Sequence, residues 1–111
     1  DYFGNTDLFI YDMKTKASKK IAKGIYSKPA WNGNVIYYSK KAKKPNKVGS
    51  KYYDLFEYNF ITKKEFQITR DARAFSPVFA DNDSSLFYLS TKDGTQNIFK
   101  IDLNSKSTEK L

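Results

Sequence analysis

The sequence predicts an all-β chain built from four-stranded antiparallel sheets in tandem, and three observations carry that prediction. A 15-residue pattern recurs three times without a gap, the segments between its copies are β-favouring runs, and no stretch of ten or more residues shows a helical period. The three windows are Asp7–Ile21 (DLFIYDMKTKASKKI), Asp54–Ile68 (DLFEYNFITKKEFQI) and Asn97–Leu111 (NIFKIDLNSKSTEKL), offset by 47 and 43 residues. Each superposes a Phe (Phe9, Phe56, Phe99), then an Asp/Asn-x-x-Thr/Ser-Lys turn (Asp12–Lys16, Asn59–Lys63, Asp102–Lys106), and ends in Ile or Leu.

A second element repeats between the windows. Ser27-Lys28-Pro29-Ala30-Trp31 followed by Val35–Ser39 matches Ser76-Pro77-Val78-Phe79 followed by Leu86–Ser90, so the unit is about 45 residues long. Within a unit, the segments around Pro29-Ala30-Trp31 and Pro77-Val78-Phe79 predict a first, innermost strand with Pro at its entry, where no ladder hydrogen bond is lost. Asn32-Gly33 signals a tight hairpin. Val35-Ile36-Tyr37-Tyr38 and Leu86-Phe87-Tyr88-Leu89 are continuous apolar runs that suit a second strand packed on both faces. The third strand sets Phe9/Tyr11, Phe56/Tyr58 and Phe99/Ile101 on one face, with Ile10, Glu57 and Lys100 at equivalent positions on the other. The fourth is mostly polar and Lys-bearing, as in Ala17–Ile21 and Ser107–Leu111, which discourages edge-to-edge pairing.

Four antiparallel strands per unit, graded from buried to exposed, describe the blade of a β-propeller. The sequence then holds about two and a half blades: the C-terminal part of blade 1 over about 1–24, blade 2 over about 25–70 and blade 3 over about 71–111. Closed propellers use roughly four to eight blades, so an incomplete ring is expected, completed by blades from the same parent protein or from other proteins. A start at Asp1 without a signal-peptide pattern fits a mature or excised piece of something longer.

Phe75-Ser76-Pro77-Val78-Phe79-Ala80-Asp81-Asn82-Asp83-Ser84-Ser85-Leu86-Phe87-Tyr88-Leu89-Ser90 resembles the pattern SP-x-[WF]-SPDG-x-x-[IL]-x-[FY]-x-S, and Asp93-Gly94-Thr95-Gln96-Asn97-Ile98-Phe99 continues it in the style dGxxdIy. That is similar to the WD40-like PD40 repeat of TolB-type β-propellers, also found in the propellers of prolyl-oligopeptidase-like and tricorn-like peptidases. The SPDG turn departs from the pattern at Ala80–Asp83 and shortens to Asn32-Gly33 in the other unit. The Gly-His and Trp-Asp marks of true WD40 repeats and the doubled glycines of kelch repeats are absent. The resemblance implies a periplasmic or extracellular setting and loops that face protein partners.

Composition narrows the chemistry. The 111 residues contain no Cys and no His, which excludes disulfide scaffolds, imidazole acid–base catalysis, Ser-His-Asp and Cys–His nucleophilic sites, and Cys- or His-bound zinc within this sequence. No apolar run reaches a membrane-spanning length. The net charge of +8 comes from one region: residues 14–51 hold 12 Lys and no acid. Its densest part, Lys40 to Lys51, interrupts blade 2 as a basic loop. With only Arg70 and Arg73 as arginines, specific nucleic-acid reading is not expected. Lys40, Lys41, Lys43, Lys44, Lys47 and Lys51 are candidates for a positive handle toward an acidic protein, or else a solubilising loop. Tyr52 and Tyr53 beside them are candidate interface anchors, with strand packing as the alternative role.

Other constellations read as structural. Asp54 with Glu57, or Asp81 with Asp83, could form a carboxylate pair, but Asp54 recurs as Asp7 and Asn97 and so marks a repeat position that bonds backbone at the strand entry. Asp81-Asn82-Asp83 lacks the ligand spacing of a calcium loop and suits an Asx turn. No catalytic residue, cofactor or metal is expected. The sequence points to a non-catalytic β-propeller segment acting as a protein-binding scaffold in an extracytoplasmic bacterial protein. The alternatives are the substrate-gating propeller of a prolyl-oligopeptidase-like serine peptidase and a module binding glycans or anionic surfaces.

Overall fold

A computed structural model of the protein describes residues 6–41, 52–80 and 84–111. Ten strands form three antiparallel sheets, and no helix occurs among the described residues. The first sheet pairs β1 (Thr6–Asp12) with β2 (Ala17–Ile25). The second runs in the order β3 (Ala30–Asn32), β4 (Val35–Lys41), β5 (Tyr53–Asn59), β6 (Lys64–Gln67). The third orders β7 (Ala74–Phe79), β8 (Ser85–Ser90), β9 (Asn97–Asp102) and β10 (Thr108–Lys110) in the same way. Each four-stranded sheet is a simple meander, and the sheets do not close on themselves.

The outer hairpin turn repeats to the atom. The side-chain oxygen of Asp12, Asn59 and Asp102 accepts the N–H two residues on, at 2.8, 2.8 and 2.9 Å. Lys16, Lys63 and Lys106 then close each turn in the left-handed region, with φ of 58°, 60° and 64°, donating their N–H to the carbonyl four residues back at 2.7 Å. Two N–H groups satisfied by one side chain explain why Asp or Asn stands at each turn.

The core lies between the sheets. Successive side chains of a strand point to opposite faces, so β4 sends Ile36 and Tyr38 toward the first sheet and Tyr37 toward the third. On β5, Phe56 and Tyr58 join the first layer and Leu55 the second. Ala22 and Ile25 of β2 meet Ile36, Tyr38, Phe56 and Tyr58. Tyr37 and Leu55 meet Ala74, Leu86, Tyr88, Phe99 and Ile101. The central strands β4 and β5 are therefore buried on both faces, which is why β4 reads as an unbroken apolar run.

Two expectations need correction. Burial peaks on the second and third strands rather than on the first, because β3 is an edge strand with one sheet neighbour: Ala30 is buried while Trp31 is 59% exposed. Pro77 lies inside β7, not at its entry. The ladder slips between Phe75 and Val78 around Ser76, whose φ is 54°, and this bulge frees the proline from supplying an N–H.

Each end of the stack presents apolar side chains. Phe9 and Tyr11 of β1, the counterparts of buried Phe56 and Tyr58, are both 55% exposed, and no sheet among the described residues covers them. At the other end Val78 and Ile98 are exposed beside Phe87 and Leu89.

Three measurable consequences follow from this packing. Leu55→Ala should cost about 3 kcal/mol in urea denaturation, since the lost side chain leaves a hole in the layer between two sheets. Lys63→Gly should raise stability by about 0.5 kcal/mol, because glycine enters the left-handed region without the steric penalty and gives back part of the gain as unfolded-state entropy. Burial holds the phenols of Tyr37 and Tyr88 up to about 12 and raises Tyr38, which also donates to Glu65. The unfolded protein loses these protons near pH ~10, so stability should fall as pH rises from there toward the folded values. Ultraviolet titration should show these three phenols ionising last, together with unfolding.

Candidate functional site

The connections from β2 to β3, from β6 to β7 and from β8 to β9 reach the same rim. At that rim, between the second and third sheets, Tyr26, Tyr52, Tyr53, Arg73, Phe75, Thr91 and Gln96 line a cleft of about 630 Å³. Tyr26 follows β2, Tyr52 and Tyr53 enter β5, Arg73 immediately precedes β7, Phe75 lies near its start, and Thr91 follows β8. The rings of Tyr26 and Tyr53 lie 4.3 Å apart, and Tyr26 meets Phe75 edge to face at 5.5 Å. The Arg73 guanidinium lies 4.1 Å from the centroid of Tyr52.

Arg73 is held from both sides. Asp54, fully buried at the start of β5, accepts the N–H of Ala72 at 2.9 Å, the N–H of Asp71 at 3.1 Å and the hydroxyl of Thr69 at 2.7 Å. The Ser90 hydroxyl donates to the carbonyl of Ala72, and the Ser39 hydroxyl donates to the carbonyl of Ala74. The carbonyl of Arg73 itself accepts the N–H of Thr91. With its neighbours clamped, Arg73 takes a left-handed φ of 46°, beside Asp71 at 52°. Burial pushes the Asp54 carboxyl up, and the donors from Ala72, Thr69 and Asp71 pull it back. No ion pair joins Arg73 to a carboxylate among the described residues.

The basic candidates part company. Lys40 is built into the middle sheet: its ammonium lies 2.8 Å from Glu65 and 4.8 Å from the Phe56 ring centroid. Lys41 is exposed at the end of β4. Lys43, Lys44, Lys47 and Lys51 lie outside the described residues, as do Asp81 and Asp83. Tyr52 and Tyr53 come together with Tyr26, Arg73 and Phe75. Asp54 and Glu57 fall on opposite faces of β5, and Glu57 reaches Lys106 at 3.4 Å, so they form no catalytic pair. Asp7 accepts the N–H of Gly24, which lowers its carboxyl, and so binds backbone as Asp54 does; Asn97 instead donates to Thr95 within its own turn. Among the described residues, no group of three His, Cys, Asp or Glu side chains could hold a metal ion.

Sequence reasoning passed over Arg73, Tyr26 and Phe75. One signal was present: Tyr26 and Phe75 each precede the Ser of the matched Ser-Pro elements, so the repeat itself sets an aromatic there. A second cleft, of about 410 Å³, runs between β3 and β7 and is lined by Pro29, Trp31, Pro77, Val78 and Phe79 among others.

No protein-family model and no curated protein matches the sequence. Solved structures match it by fold. TolB from Acinetobacter baumannii superposes with a TM-score of 0.71 at 14% identity, over 95% of this chain and 26% of that one. The tricorn protease superposes with a TM-score of 0.69 at 18% identity, over 89% of this chain and 12% of that one. Acylaminoacyl peptidase from Pyrococcus horikoshii gives 0.56 at 18% identity, over 76% of this chain and 13% of that one. The sequence thus spans about a quarter of the length of that TolB and a smaller share of the two peptidases. At these identities the likeness is one of fold: the protein is made of β-propeller blades of four antiparallel strands, like those of TolB and of peptidase propellers.

The clamp has a measurable energy. Asp54→Asn replaces an acceptor oxygen with a donor facing N–H groups and removes the charge they bond. It should cost about 3 kcal/mol in urea denaturation, whereas Ser90→Ala should cost about 1 kcal/mol.

Proposed function

We propose that this protein is a non-catalytic part of a β-propeller that binds a protein partner at the rim cleft, within an extracytoplasmic bacterial protein. The observation that carries the reading is the cleft itself: clustered tyrosines and a guanidinium on backbone pinned by buried side chains. Tyr and Arg dominate the energetics of protein interfaces, and a rigid mount lowers the entropy lost on binding. The absence of His and Cys from the sequence and the repeat resemblance to TolB-type propellers support the same choice. Lys41 and the lysines at 43, 44, 47 and 51, which precede Tyr52 and Tyr53 in sequence, would supply positive charge that speeds encounter with an acidic partner. Lys40, engaged with Glu65, takes no part in it.

The test places a photo-crosslinking amino acid at Tyr53, or at Ile61 on an outer turn, in the full-length protein in its own cells. A discrete protein adduct from position 53 and none from 61 is the expected result; no adduct from position 53 rejects the reading. Charge reversal at Lys41, Lys43, Lys44 and Lys47 should weaken that association and flatten its salt dependence.

The fold likeness to the tricorn protease and acylaminoacyl peptidase favours a second reading, in which the blades gate substrate to a hydrolase domain in the same parent protein. Labelling of the full-length parent by a fluorophosphonate would establish that alternative.

A further inference from the structure

We propose that Arg73 is a receptor for an Asp or Glu carboxylate within an acidic peptide segment, whose flanking aromatic or aliphatic residue enters the cleft formed by Tyr26, Tyr53 and Phe75. This rests on the partner-binding reading of the same cleft and adds the chemistry of what is bound. The guanidinium carbon lies 4.1 Å from the centroid of the Tyr52 ring, and the planar fork of N–H donors that a guanidinium carries suits bidentate bonding to a carboxylate. The group carries its charge with no carboxylate partner among the described residues. Its backbone is held at φ 46° by hydrogen bonds to the residues on either side. A non-glycine residue kept in that region by over-determined surroundings marks a place where position is held against local preference.

The donors also decide which carboxylate fits. Capture of a peptide's terminal carboxylate uses free backbone N–H groups. Here the N–H groups of Asp71 and Ala72 go to Asp54, that of Ser76 goes to Ser27, and that of Thr91 goes to Arg73. With those four N–H groups engaged among the described residues, the guanidinium favours an Asp or Glu inside a peptide over the peptide's end.

The experiment measures fluorescence polarisation of the full-length protein with a dye-labelled, end-capped Gly-Phe-Asp-Phe-Gly peptide. Its Asn counterpart and a Gly-Gly-Phe peptide with a free terminal carboxylate complete the set. The Asp peptide should bind at least ~10-fold more tightly than the Asn peptide, the difference expected of a charge-assisted pair. Arg73→Lys should erode that preference several-fold, and Arg73→Gly should abolish it. Arg73→Gly should also leave the melting temperature no lower than the parent's, since glycine relieves the left-handed backbone. That result separates lost recognition from lost folding.

Equal binding of the Asp and Asn peptides overturns the inference, as does a preference that survives in both variants. Tighter binding of the free terminal carboxylate overturns the assignment to an internal Asp or Glu. Failure to bind any peptide while crosslinking from position 53 persists defeats this inference alone. Loss of the crosslink defeats the partner-binding reading beneath it.

Discussion

The joint between the two complete blades depends on one buried carboxylate. Asp54 sits at the start of a third strand, yet its hydrogen bonds go to Thr69, Asp71 and Ala72, on the connection that leads into the next sheet. An uncompensated charge at such a site would be costly, and the convergence of several donors is what makes it tolerable. Once the connection is tied down there, Ala74 is placed for the bond from Ser39, β7 begins in register, and the layer of Tyr37, Leu55, Leu86 and Tyr88 can close. The rim cleft inherits its rigidity from the same bonds.

The second constraint is that β4 and β5, the two central strands of the middle sheet, are covered on both faces. A sheet buried on both faces cannot use alternation of polar and apolar residues to set its register, so register must come from turns and from specific polar contacts. Both devices are present. Identical Asx turns fix the outer hairpins, and the network of Tyr38, Glu65 and Lys40 ties β4 to β6 across the strand between them. That network explains why a lysine at the head of a basic run belongs to the sheet.

Much of this architecture was legible because it repeats. The superposition of Phe9, Phe56 and Phe99 located the third strands, the Asp/Asn-x-x-Thr/Ser-Lys segments located the turns, and the apolar runs at Val35 and Leu86 located the second strands. Illegible features were those set by distant partners. The bulge at Ser76 depends on a hydroxyl from Ser27 in the preceding unit. Pairing of Lys40 with Glu65 reaches across an intervening strand. Arg73 looked like an ordinary residue in a connection, since nothing in its local sequence shows that Asp54, Ser39 and Ser90 converge on its neighbours. The aromatic pair Tyr26 and Phe75 was visible as a repeat position, but its use as a cleft wall required the sheets to be stacked.

The two ends of the stack differ in kind. One offers the Phe9 and Tyr11 face, whose counterparts Phe56 and Phe99 are covered by the preceding sheet; the other offers Val78 and Ile98, on the side from which a following sheet would be met. Every joint therefore has a donor side and a recipient side, and the stack has a direction. A joint of this sort is heterologous: the two surfaces that meet in it are different, so it does not lie on a two-fold axis. Blades added through the same joint continue head to tail, so such a stack either closes into a ring or remains an open array with one face of each kind exposed.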